Sequence, residues 1–147
     1  MKSDEKVSVR ISDKALKRIK AKVRALTSRV RRIPAKQMLA ELSAYLVGWA
    51  NYFAKAKGCE SQLKSLDGWI RRRVRQWLWV EWKTTRKRRS KLLQGGVSES
   101  QAVRASHIRS PWKASNNPAM RTCITNARIK WGGLIPLHEH WQRLSTL

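Results

Sequence analysis

Acidic residues are scarce in this chain: 9 Asp and Glu stand against 33 Lys and Arg in 147 residues, a formal net charge of +24. The few carboxylates are scattered along the sequence, so no aspartate pair is available to hold two magnesium ions. Cysteine is almost missing too. Cys59 and Cys123 lie far apart and form no CxxC pair, which excludes a zinc ribbon or finger and fits two reduced thiols. Long apolar runs are absent. The longest, AYLVGWA over residues 44–50, falls far short of the roughly 20 residues a membrane-spanning helix needs. The opening MKSDEKVSVR has no apolar stretch for a signal peptide. No segment is low-complexity and no internal repeat is visible. Neither a cofactor, a metal nor a membrane partner is expected.

Cationic side chains and tryptophan are what the chain does have. Self-repulsion at +24 opposes compaction, and a polyanion such as RNA or DNA relieves it. A hydrophobic fraction of 41% with 8 Trp argues against disorder, because chains that stay unfolded are poor in aromatics.

The hydrophobic pattern predicts a mainly α protein. Val7 to Ile11 (VSVRI) alternate in polarity and could make one short strand with nothing to pair with. Ser12 can cap a first helix from about Asp13 to Ser28, with Leu16, Ile19, Val23 and Leu26 on one arc at about 100° per residue. Pro34 suits the start of a second helix, which is predicted to run to about Ala56 and stop at Gly58. Its apolar stripe is Met38, Leu42, Tyr45, Leu46, Trp49, Tyr52 and Phe53, all expected in the core. A third helix is predicted from about Ser61 to Lys83, with Leu63, Leu66, Ile70, Val74 and Trp77 on one face. Glu81 would land on that face if the helix stayed straight, so a bend or an end is expected there.

After Gly95-Gly96, Ser98 and Gln101 have capping-box spacing for a short helix ending near Ala105. His107 to Pro118 reads as a polar loop, whose His107 and Trp112 are surface or nucleic-acid contacts. Asn117 and Pro118 can start a helix lasting to Gly132-Gly133, and a last helix is predicted from Pro136. The expected organisation is 1–12 as the end of a larger region, 13–94 as a bundle of three longer helices, and 95–147 as a smaller basic helical segment.

The candidate contacts to a polyanion follow from the charge runs. They are Lys17, Arg18 and Arg24 on the first helix, Arg31 and Arg32 in the connector, and Arg71, Arg72, Arg73 and Arg75 on the third helix. Arginine forks match phosphate geometry and stack on unpaired bases. The acid-free stretch Lys83 to Lys91 adds Arg86, Lys87, Arg88 and Arg89, either as phosphate contacts or as a flexible tether. Trp79 and Trp82, interleaved with arginines, either stack on splayed bases or pack against the C-terminal segment; tryptophan's usual burial favours packing. No catalytic set emerges. His107, His138 and His140 lack the spacing of metal ligands.

Two ordered motifs carry a resemblance. LSAYLVGWANYFAKA (residues 42–56) and LDGWIRRRVRQWLWVEWK (66–83) resemble the maturase-specific domain of group II intron-encoded proteins. There, a helix patterned L-x-G-W-x-N-Y-F precedes one patterned W-I-R-R-R-x-R. Leu46, Gly48, Trp49, Asn51, Tyr52 and Phe53 carry the first, and Trp69, Ile70, Arg71, Arg72, Arg73 and Arg75 the second. Residues 9–29 look like the join between palm and thumb, and residues 95–147 like the region after the thumb that contacts DNA. The family's polymerase region, with its Tyr-x-Asp-Asp metal site, has no counterpart here. The resemblance therefore implies a thumb-like, RNA-binding splicing assistant without catalysis of its own, in the bacterial cytoplasm or an organellar matrix. Group II intron RNA is the implied partner. The alternatives are a DNA-binding module, or a fragment or remnant that completes a separately encoded polymerase chain.

Overall fold

The computed structural model describes residues 10–146. Among them the chain is helical throughout, without a strand, and no helix is long and apolar enough to cross a membrane. The strand expected at Val7 to Ile11 lies mostly outside the described residues. Ile11 itself is buried and not in a strand. Its amide donates to Gln62 Oε1 (2.8 Å) and its carbonyl accepts from Gln62 Nε2 (3.0 Å), so one glutamine satisfies both backbone groups.

Three long helices form the scaffold: α1 (Asp13–Leu26), α2 (Ala35–Tyr52) and α3 (Glu60–Glu81). Ser12 caps α1, its side chain accepting from the Ala15 amide. The helix stops where the Thr27 hydroxyl donates back to the Val23 carbonyl at 2.7 Å. A 3-10 turn (Arg29–Arg31) leads to α2. α2 ends at Tyr52, a turn earlier than expected, and Gly58 at φ 83° redirects the chain. At that end Trp49 and Phe53 pack inward, with rings 4.5 Å apart. Tyr52 corrects its expected place in the core. It is 83% exposed, because the step of about 100° from Phe53 turns it outward where the helix finishes. α3 is 22 residues long, about 33 Å, and its end at Glu81 falls where the misplaced carboxylate predicts one.

The rest is short helices. The basic run 83–91 is not a tether: Thr84 caps α4 (Thr85–Gln94), accepting from the Lys87 amide at 3.1 Å. Then come α5 (Glu99–Ser106), capped by Ser98 as predicted, α6 (Pro111–Ser115), α7 (Pro118–Cys123), α8 (Asn126–Trp131) and α9 (Leu137–Ser145). The stretch read as a loop thus contains a helix. The helix expected from Pro118 to Gly132 is two, because Ile124 leaves helical geometry and Thr125 caps anew.

Two cores result. In the first, α1, α2 and α3 bury Ile19, Val23, Met38, Leu42, Leu63 and Ile70, closed by Ile129, Leu134, Leu137 and Trp141 from the C-terminal region. The second lies under the end of α3, where Trp79 and Trp82 meet Leu92, Val97, Ala102 and Met120. α3 runs through both. α6 packs along it, α9 packs on α2 and α3, and α4 pairs with α5.

Candidate nucleic-acid interface

The scaffold sorts the cations by where their charge ends up. On α1, burial of Ile19 and Val23 fixes the roll of the helix, so Lys14, Lys17, Arg18 and Lys22 are exposed on its outer side. Arg24 is also exposed and sits over the Trp69 ring at 5.3 Å, where Lys20 approaches the same indole at 5.7 Å. In the connector, Arg31 donates to the Leu26 carbonyl (3.0 Å) and pairs with Glu41, whose carboxyl it holds below the usual range. Arg32 is exposed, in the left-handed conformation at φ 50°.

The four clustered arginines of α3 divide two and two. Arg73 turns towards α1 and donates Nε and Nη2 to Thr27 Oγ1 at 3.1 and 3.0 Å. Its burial, and Arg24 beside it, lower its pKa. Arg75 is only 6% exposed; it donates Nε to the Ile124 carbonyl and Nη2 to Asn126 Oδ1, both at 2.9 Å. Burial, with Arg71 and Arg121 nearby, brings its pKa down to about 10. Arg71 and Arg72 face a hollow at the surface of α3, and the Arg72 guanidinium carbon lies 3.5 Å from the centroid of the Trp112 ring.

On α4, Arg86 and Lys87 are exposed. Arg88 turns inward, donating Nε to the Trp79 carbonyl at 3.0 Å above the same indole, and burial lowers its pKa. Arg89 pairs with Glu99 at 3.2 Å. For Trp79 and Trp82 the structure excludes the base-stacking alternative: at 1% and 6% exposure neither offers a ring face, and Trp79 Nε1 donates to the Ile108 carbonyl at 3.0 Å. They are out of reach because the C-terminal helices cover the end of α3, the packing that the sequence favoured. The exposed indoles are Trp112 and Trp131.

The carboxylates explain the remaining field. Glu81 pairs with Arg29 (2.7 Å), Glu60 with His138 (3.0 Å) and more loosely Lys64 (3.7 Å), and Glu139 with Lys130 (3.0 Å). Asp67 accepts the Leu137 and His138 amides, both at 2.8 Å, and so caps α9. With Glu41 and Glu99 already paired and Asp13 in the first turn of α1, each described acid has a local role. Among the described residues no carboxylate forms an ion pair with Lys17, Arg18, Arg71, Arg86 or Lys87, although Asp67 lies close enough to Arg71 to feel its charge. Among those residues too, no three His, Cys, Asp or Glu side chains gather as a metal-holding group. His107 is exposed at the end of α5, and His138 is taken up by Glu60.

Sequence reasoning missed Lys64 and Arg121, which line the same hollow as Arg71 and Arg72. Arg121 stands alone in its segment, and only the folding of the α7–α8 turn against α3 brings it there.

Residues 16–94 match the family model described as the group II intron, maturase-specific domain. That is more than half of the chain, and it takes in α1 from Leu16 through α4. A comparison with curated proteins found no match.

Proposed function

The chain belongs to the group II intron maturase-specific domain family, and from that premise we propose that it binds a structured group II intron RNA and assists its splicing. The observation that carries this reading is the segregation of charge. The acids are engaged locally, while the outer sides of α1 and α4 hold cations without a carboxylate ion pair, as do Arg71, Arg72 and Arg121 in the hollow beside α3. Such a surface attracts phosphates and releases their counterions on contact. Lys17, Arg18, Arg24, Arg32, Arg71, Arg72, Arg86 and Lys87 are the groups placed to do this. Arg31, Arg73, Arg75 and Arg88 hold the scaffold in the shape that presents them.

The RNA is the catalyst in this reading, and the protein supplies none of the chemistry. A protein that binds the compact RNA more tightly than its open forms shifts the folding equilibrium by mass action. An A-form duplex would be gripped by its phosphates and 2′-hydroxyls across the wide minor groove. The setting is wherever such introns are spliced, the bacterial cytoplasm or an organellar matrix.

A salt-series titration tests the proposal, using a folded group II intron RNA and a duplex DNA of equal phosphate count. Tighter RNA binding that persists at physiological salt is expected. Lys17→Gln combined with Arg18→Gln should make the salt slope shallower by about two units, since each phosphate contact contributes close to one. Equal affinities for RNA and DNA that collapse together with salt would reduce the protein to a nonspecific polycation. Tighter DNA binding would favour a DNA-contacting module.

A further inference from the structure

Between α3 and the turn joining α7 to α8 lies a hollow of ≈ 760 Å³, walled by Lys64, Arg71, Arg72, Arg75 and Arg121. No carboxylate lines it. Ser65, Thr125 and Asn126 supply neutral polar groups. Arg75 is fixed as its floor by the bonds to Ile124 and Asn126, and Arg71 and Arg121 come close enough to disfavour its charge. Outside the wall, Glu60 lies 3.7 Å from Lys64 and Asp67 feels the charge of Arg71, but these two carboxylates do not balance the cations gathered here; the excess costs free energy in the isolated protein, and an anion in the hollow lowers that cost.

Arg72, one of the residues that wall the hollow, adds a second observation, since it reaches beyond the wall to an aromatic ring. Arg72 sits at contact distance on the Trp112 ring (3.5 Å), with its Nε buried and lacking a partner. α6, only five residues long and started by Ser110 and Pro111, holds Trp112 there with half of its surface (50%) still open. A clamp between α6 and α3 accounts for the Arg72 contact, but not for an indole left half in water beside an acid-free cationic hollow. Phosphate receptors next to an open aromatic are what a nucleotide requires.

We propose that this hollow takes an unpaired segment of the RNA, with a backbone phosphate between Arg71, Arg121 and Lys64 and the neighbouring base stacked on Trp112. The proposal rests on the RNA-binding reading above and gives it a defined site. The segment is unpaired because bases in a duplex are already stacked and present no face to an indole. Stacking of this kind is sequence-tolerant, so the site reads the single-stranded state rather than a base identity.

The test uses the full chain with two probes, an oligouridylate of about twelve nucleotides and an RNA duplex with the same phosphate count. Trp112→Ala is expected to weaken oligouridylate binding by about 5- to 150-fold, the usual range for one lost stack, with duplex binding unchanged. Trp112→Phe keeps a ring and should restore most of the loss. Arg121→Gln, at an exposed position, should flatten the oligouridylate salt slope by about 0.7, and it carries the test if Trp112→Ala fails to fold. Variants that bind oligouridylate as the wild type does overturn the site and leave RNA binding standing. Wild type that binds the duplex but not oligouridylate does the same. Wild type that binds neither overturns both readings.

Discussion

Arg71, Arg72, Arg73 and Arg75 are alike in composition and close in sequence, yet their guanidinium groups end in different places. At about 100° per residue, Arg75 lies roughly 40° from Arg71. That small rotation carries it under the α7–α8 turn, while Arg71 remains at the edge of the hollow. Arg75 is buried without a carboxylate, which the lowering of its pKa to about 10 reflects. Two directed hydrogen bonds, rather than an ion pair, offset the burial of that charge. Truncation to Ala should therefore act on stability. It leaves the Ile124 carbonyl and Asn126 amide oxygen without their donor, at a cost of about 1–3 kcal/mol, and opens a cavity beneath the turn. Thermal melting should show Arg75→Ala several degrees below wild type, with Arg71→Ala close to it. Equal melting temperatures would mean that Arg75 does not brace the turn. Composition announced a cationic helix; which arginines point outward depends on residues about fifty positions away and was not readable from α3 alone.

At the scale of elements, local signals were legible and distant ones were not. Ser12, Ser98 and the Asn117-Pro118 pair mark helix starts because a cap bonds to amides two or three residues on. α4 carries little apolar pattern, with Leu92 its one buried residue, so periodicity could not separate it from a tether. α6 is too short to show a period at all. α9 has Pro136 before it and no cap from its own segment; Asp67 of α3 does that work, 70 residues earlier in the chain. The consequence is a pH dependence. Burial is the largest influence on Asp67 and raises its pKa; the His138 and Leu137 amides, Arg71 and His138 pull it down less. Its folded pKa therefore lies above the unfolded value of about 3.9. Across that window the native state keeps a proton that the unfolded chain has lost, so stability falls as pH rises through it and levels off above. Asp67→Asn removes this term while the other carboxylates stay common to both proteins. The stability difference between wild type and Asp67→Asn should be largest at acid pH and shrink as pH rises through the window. A difference that grows with pH would place the Asp67 pKa below its ordinary value, with the two amides outweighing burial.

The whole molecule poses a different question, because the family match ends at Gln94 and the cores do not. The first core is closed by Ile129, Leu134, Leu137 and Trp141, and the second takes Val97, Ala102, Ala114 and Met120 from the chain beyond α4. Each large apolar side chain buried in this way stabilises by about 1.5–3 kcal/mol. A domain's net stability is only about 5–15 kcal/mol, so losing even four such contacts removes most of it. The remaining chain would still carry the outward cations of α1 and α4, whose mutual repulsion works against the compact state. Residues 1–94 on their own should therefore retain helix in far-ultraviolet circular dichroism, lose a cooperative thermal transition and bind a hydrophobic dye, whereas the full chain melts cooperatively. Salt should raise the melting temperature of the full chain by screening the same repulsion. A cooperative melt of residues 1–94 would show instead that α1 to α4 suffice for the fold. The segment after Gln94 would then act on the surface it presents, the hollow and the Trp112 ring, rather than on the core it covers.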